Sequence, residues 1–439
     1  MPVSLRPAAS DPERPRFLPF LYFGLAHFCL GVACAAIAAS PRSFLGPWYE
    51  GRTLAVVHLV TLGWITGSIL GALYAIAPTT LRIAMPVRRA DRIAAIAYSI
   101  GVTGMAGHFW IGEAWGLAGS ALLTATALGW VGWKLWRRLP ASPLSPDTLL
   151  PIRLALLNLA LTALVGVTLA MNRLVHFLPG SVLSNVAAHA HLAALGWMAM
   201  LLLGFGQRLI PMLLPAAMPG ARTIVSAAVV LQLGVLGLAL ALPFSTPGAR
   251  TASAIAAALA GGALVFLGAG VLMLRLRHAK PRPAALPRAD WGLRHLGAAL
   301  GWLALTIGLG LYLAWSTPGD DRLRLVPAYA TLGLLGFFGQ MIVGVATRML
   351  PVFTWLSAFG GTLWPSPPPP PHLLARAVLQ PWCWLFWFCG VAALAGGFLT
   401  ADPTWLRVGA SSLGIATLLN AGSLARLIEP LRATAKYAR

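Results

Sequence analysis

Residues 58–78 read HLVTLGWITGSILGALYAIAP. After the leading histidine this stretch holds no ionisable side chain except Tyr74, and at 1.5 Å per residue it is long enough to cross a bilayer core of about 30 Å. The same frame returns twice. Residues 191–211 read HLAALGWMAMLLLGFGQRLIP, and residues 331–351 read TLGLLGFFGQMIVGVATRMLP. With no gap, Gly63, Gly196 and Gly336 coincide, as do Trp64, Trp197 and Phe337. Gly71, Gly204 and Gly344 coincide next, and Pro78, Pro211 and Pro351 close the segments. The starts lie 133 and 140 residues apart, about four membrane spans, so the chain reads as three units of four helices. Packing accounts for much of this pattern: glycines let membrane helices approach, and a terminal proline is expected to stop each helix at the interface. Packing does not account for a histidine at the head of two of the three units.

Composition points the same way. The 439 residues are 58% hydrophobic and 10% charged, with a mean hydropathy of +0.77. A soluble domain is about a quarter charged, and one soluble core of this length could not hide so much apolar surface. The expected fold is therefore all-α and polytopic, with about twelve transmembrane helices in three pseudo-symmetric four-helix arcs. Twelve apolar runs fall at roughly 17–39, 52–77, 92–113, 115–136, 150–174, 186–212, 222–243, 250–274, 292–316, 326–351, 375–398 and 403–427. They form a single transmembrane domain with repeats at about 17–136, 150–274 and 292–427.

The net charge of +21 lies in short clusters between the spans, without the basic runs and interleaved aromatics of a nucleic-acid binder. With both termini assigned to the cytoplasm, 25 of the 32 Lys and Arg fall on that side and seven on the other. The positive-inside rule then sets the orientation expected in a cell inner membrane. The N-terminal MPVSLRPAASDPERPRF is polar and proline-rich and lacks an A-x-A-like site, so no cleaved signal peptide is expected. Cys29, Cys34, Cys383 and Cys389 show no metal spacing.

Asp and Glu are confined to loops, tails and span ends, whereas histidine enters the spans. In this orientation His58 lies roughly 9 Å below the outer edge of its helix, at 1.5 Å per residue. His108, His176, His189 and His191 share that outer layer, with His27 nearer the middle. His278, His295 and His372 fall on the cytoplasmic side. Ionisable groups inside spans are rare and mostly functional, and neutral imidazole is a common ligand of haem iron and copper. Singly, each histidine reads as bonded to a carbonyl or a water. His58 and His191, at equivalent repeat positions, read as ligands together. His189 and His191 are two residues apart, hence about 200° apart around a helix, which suits two centres on opposite faces.

Twelve spans in three arcs, with histidines at the outer ends of even-numbered helices, resemble subunit I of the haem–copper oxidase superfamily. HLVTLGWITGSILGALY and AHAHLAALGWM are most similar to its divergent members related to cbb-type oxidases and nitric oxide reductases. The resemblance implies a haem-binding bundle, with a b-type haem and copper as candidate cofactors. His58 matches the family's haem ligand on the second helix. His191 and His189 follow as cofactor ligands, and His189, His191, His108 and His27 as the set from which a metal would draw. The chain departs from the family pattern at Tyr329 and Thr331, which stand where the tenth helix carries an H-x-H pair, and in span 7 (Arg222 to Phe244), which has no histidine. Oxygen reduction at a standard binuclear centre is therefore expected to be absent. The NnrS family of twelve-span haem- and copper-associated proteins linked to nitric oxide stress is a second resemblance, through the stretch from Gly339-Gln340-Met341-Ile342 to Arg348.

The implied function is electron transfer or the handling of a diatomic gas, with an unidentified redox partner. Two other readings stand beside it. A transporter would share the span number and internal repeats, although cation-coupled carriers commonly use intramembrane carboxylates. A structural or assembly subunit would keep the fold and lose the cofactors. Arg208 and Arg348, each twelve residues after its repeat glycine, are expected to snorkel to headgroups.

Overall fold

The computed structural model describes residues 17–213, 219–244, 246–277, 290–317, 319–360 and 368–437, and among them every regular element is helical. The N-terminal segment 1–16, His278 and the start of the proline run before His372 lie outside the described residues. Twelve long rods follow the twelve apolar runs: α1 (Leu18–Ala39), α2 (Gly51–Thr80), α3 (Arg89–Ile111), α4 (Ala114–Arg138), α5 (Pro146–Val175) and α6 (Val182–Leu213). Then come α7 (Ala221–Ala241), α8 (Pro247–Arg277), α9 (Trp291–Trp315), α10 (Arg322–Phe359), α11 (Gln380–Thr400) and α12 (Pro403–Ala425). A short α13 (Ile428–Tyr437) packs back on α10. Eleven rods are long and apolar enough to cross a membrane. The other, α3, opens on Arg89, Asp91 and Arg92 and packs between α2 and α4.

The rods close into a ring of three arcs. In each unit the first helix packs on the second and the third on the fourth. The arcs join where α4 meets α5, α8 meets α9 and α12 meets α1. The second helix of each unit lies inside: α2 packs on both α6 and α10. The repeat glycines make this possible. A Cβ on Gly63 would overlap Cys29 of α1, one on Gly196 the Asn158 side chain of α5, and one on Gly336 Trp302 of α9. Each repeat glycine is thus pressed onto the first helix of its own unit.

All three inner helices switch from α to π winding at the same place in the repeat: Leu59–Thr66, Leu192–Ala199 and Leu332–Gly339. A π turn pairs residues five apart, and its wider loop leaves carbonyl lone pairs open to a second donor. Side chains from the flanking helices supply those donors. The Tyr98 hydroxyl on α3 donates to the Leu62 carbonyl at 2.6 Å, and the Trp387 indole on α11 to Leu335, the matching residue of unit three, at 2.9 Å. In unit two, Asn158 of α5 donates to the Gly196 carbonyl at 3.0 Å. Gln232 of α7 holds Asn158 through two amide bonds of 2.7 and 3.1 Å. Tyr98, Gln232 and Trp387 all sit on the third helix of their units.

Two expectations are corrected. The closing prolines do not stop their helices: Pro78, Pro211 and Pro351 are interior, and α10 runs on to Phe359. Proline removes one amide and leaves the rest of the ladder intact, which membrane helices tolerate. Nor does Arg348 reach for headgroups, since it pairs with Asp290 at 3.0 Å; Arg208 is exposed.

Asp91 looks like an ordinary acid at a span end, yet it is fully buried. Its carboxylate accepts from Lys134 Nζ at 2.7 Å, the Tyr74 hydroxyl at 2.7 Å, the Trp130 indole at 3.0 Å and the Arg88 amide at 2.6 Å. Four donors compensate its desolvation, so the group serves to lock α2, α3 and α4 together.

Candidate functional site

Just ahead of each π turn, the leading side chain of the repeat is anchored in the same way. His58 Nδ1 donates to the Leu54 carbonyl at 2.7 Å, and His191 Nδ1 to Ala187 at 2.8 Å. In the third unit Thr331 Oγ1 donates to Pro327 at 2.8 Å. Leu54, Ala187 and Pro327 are themselves equivalent in the repeat. With the proton fixed on Nδ1, each imidazole keeps its lone pair on Nε2. This is how a ligating histidine is normally oriented, the other ring nitrogen donating to a carbonyl.

The two half-buried histidines then diverge in partners. His58 Nε2 has no hydrogen-bond partner among the described residues. His189 of α6 lies over Gly166 of α5, where a Cβ would stand 3.0 Å from its Cε1. Its Nδ1 is buried without a partner. His191, on the other side of the same helix, stacks on Tyr329 of α10 at 6.1 Å between ring centres, with a long 3.4 Å contact from the Tyr329 hydroxyl to Nε2. The 200° divergence read from sequence thus corresponds to two sides of α6: His189 lies over Gly166 of α5, and His191 meets Tyr329 between units two and three. At the third junction the equivalent residues are Thr331 and Val56, and neither is an imidazole.

Above His58, Phe109 of α3 stacks on its ring at 4.8 Å, and the Arg173 guanidinium stands 5.2 Å from the Phe109 ring centre. Beside Phe109 an open cleft of about 480 Å³ is lined by Ser43, Glu50, Arg52, Trp110 and Gly112.

The other candidates are not drawn into this layer. His27 is committed on both nitrogens, Nδ1 to the Phe23 carbonyl at 2.6 Å and Nε2 to the Asn420 amide at 3.0 Å. His108 sits at the tip of the α3–α4 hairpin, its Nδ1 3.2 Å from Glu113 Oε2 at an angle too poor for a hydrogen bond. His176 caps α5 in a left-handed conformation and is exposed. His372 belongs to a short 3₁₀ turn. Among the described residues no group of three or more His, Cys, Asp or Glu could hold a metal ion. All four cysteines are free.

Sequence reasoning did not single out Arg173, Phe109 and Gly166. Arg173 carried one signal: it is one of only seven cations assigned to the outer side. No protein-family model matches the chain, and no curated protein matches it in sequence.

Proposed function

We propose that this polytopic membrane protein binds a haem in its histidine layer, where His58 and His189 would hold it, and works in electron transfer or the handling of a diatomic gas. The observation that carries this reading is the bare imidazole lone pair that its tether leaves on His58, together with His189 of α6, whose buried Nδ1 is unpartnered. A buried polar nitrogen without a partner is costly, and a ligand is one ordinary remedy.

The donor set favours haem over a protein-only metal. A copper ion held by side chains alone wants three or four donors, and no such group is assembled among the described residues. A macrocycle supplies four nitrogens of its own, so one or two imidazoles are enough. We therefore assign no copper. Once bound, haem would bring one-electron and gas-binding chemistry to this layer. The protein's part is to fix the His58 tautomer through Leu54, to shield one face with Phe109, and to offer Arg173 as a counter-charge for carboxylates at the rim. The 25-to-seven distribution of basic residues supports placing this layer on the outer side of a cell inner membrane, with both termini in the cytoplasm.

The test is an absorption spectrum of the purified, haem-supplied protein beside His58→Ala, His189→Ala and His372→Ala. A Soret band lost or shifted in the first two and unchanged in the third is the expected result. A protein that shows only its 280 nm band ends this reading and leaves the cofactor-free subunit and the carrier.

A further inference from the structure

Nine residues past Thr331 on α10, about 13 Å further along the bundle, Gln340 meets His295 of α9. From its sequence position His295 reads as a histidine of the cytoplasmic side, yet it is only 1% exposed, and Gln340 is 0% exposed. His295 Nδ1 and Gln340 Oε1 are 2.8 Å apart. Since Oε1 can only accept, Nδ1 carries the proton and the lone pair stays on Nε2. No donor reaches that Nε2 from the described residues. The Gln340 Nε2 amide is also buried without a partner. The pair thus presents a buried donor without a partner on Gln340 and, on the far side of the ring, the free lone pair of His295.

The same level of unit one is polar and unpartnered too. Tyr22 precedes Cys29 by seven residues as His295 precedes Trp302, and its hydroxyl is buried without a partner. Ser68, next to the residue that corresponds to Gln340, has an orphaned hydroxyl as well. Proteins pair nearly all such groups, and where no side chain reaches them the usual partner is an internal water making about three hydrogen bonds.

We propose that His295 and Gln340 form an internal water site in the interior of the bundle, separate from the histidine layer. One water oxygen accepts from Gln340 Nε2 and donates to a second water, which donates a proton to His295 Nε2. An exchangeable water here makes this level a station for water or a small hydroxylic molecule within an otherwise apolar core. The site does not depend on whether the far end carries a haem.

The experiment is water-edited solid-state NMR of the full-length protein in lipid bilayers with ¹⁵N-labelled histidine. The His295 resonance is identified by its loss in His295→Gln. If that variant does not fold, the displacement of the same resonance in Gln340→Met identifies it. Transfer of water magnetisation to His295 Nε2 is expected in the wild type, falling several-fold in Gln340→Met. A His295 resonance that receives no magnetisation from water overturns the proposal.

Discussion

The 2.7 Å bond from His58 Nδ1 to the Leu54 carbonyl decides which nitrogen of that ring is left for chemistry. Without it either tautomer would be open, and Nε2 could as readily carry the proton. The bond recurs at His191 and, with a hydroxyl in place of an imidazole, at Thr331. It is therefore a property of the repeat: a side chain tethered one turn back, followed directly by a π turn that alters the helix register. What differs between the units is only what is tethered, and that difference leaves unit three without an imidazole at this position.

Because His191 meets Tyr329 and His189 lies over Gly166, the two histidines of α6 should separate in function. His189→Phe is expected to abolish or shift the haem spectrum, whereas His191→Phe should leave it in place. Titration of haem into the two purified variants decides this. Loss on His191→Phe with retention on His189→Phe would reverse the assignment.

The donors to the π-turn carbonyls should show in stability. Tyr98→Phe and Trp387→Phe each leave one buried carbonyl with fewer partners, at a cost of about 1 kcal/mol, in the range measured for side-chain bonds in membranes. Thr103→Val, whose hydroxyl bonds back to its own exposed helix face, is the control and should be near neutral. Thermal unfolding in detergent gives the comparison. Equal melting temperatures for all three variants would show the bonds to be incidental.

The fold was largely legible because the membrane forces backbone bonds inside each helix and leaves the apolar runs to mark the spans. The repeat was legible too, since Gly63, Gly196 and Gly336 keep their places without a gap. The π turns were not, because LVTLGWIT and LGLLGFFG contain nothing that forbids ordinary α winding. The donors that accompany them, Tyr98 and Trp387, lie on other helices, which local sequence cannot supply. The site was legible only in part. Sequence spacing placed His189 and His191 on opposite faces, but what each face met depended on the order of the arcs. The burial of His295 was not legible for the same reason: its position near the start of a span says nothing about the glutamine 45 residues on that meets it.

The close contact at Gly336 gives a test of the arcs themselves. Gly336→Ala places a methyl group onto Trp302 and should destabilise by about 1–3 kcal/mol through overpacking. Gly31→Ala, which meets nothing within 4 Å, should be neutral or stabilising by up to about 1 kcal/mol because alanine is the better helix former. If the two variants unfold alike, the inner helices do not press on their neighbours as described.

Asp91 and Lys134 offer the sharpest test of the buried polar frame, because the two partners are unequally provided for. With Asp91→Leu, Lys134 keeps only the Pro86 carbonyl, 2.6 Å away, and the face of Tyr74 at 5.1 Å for a charge that is 10% exposed. Breaking a buried pair in this way typically costs about 3–5 kcal/mol. With Lys134→Met, Asp91 still accepts from Tyr74, Trp130 and the Arg88 amide, so the loss should be smaller. The double variant Asp91→Leu/Lys134→Met removes both charges and should recover much of what Asp91→Leu alone loses, since an apolar pair of similar volume is often as stable as the buried ions it replaces. A double-mutant cycle on thermal unfolding measures the coupling directly. Were Asp91→Leu no worse than Lys134→Met, the unequal sharing of donors around this pair would not govern its energetics.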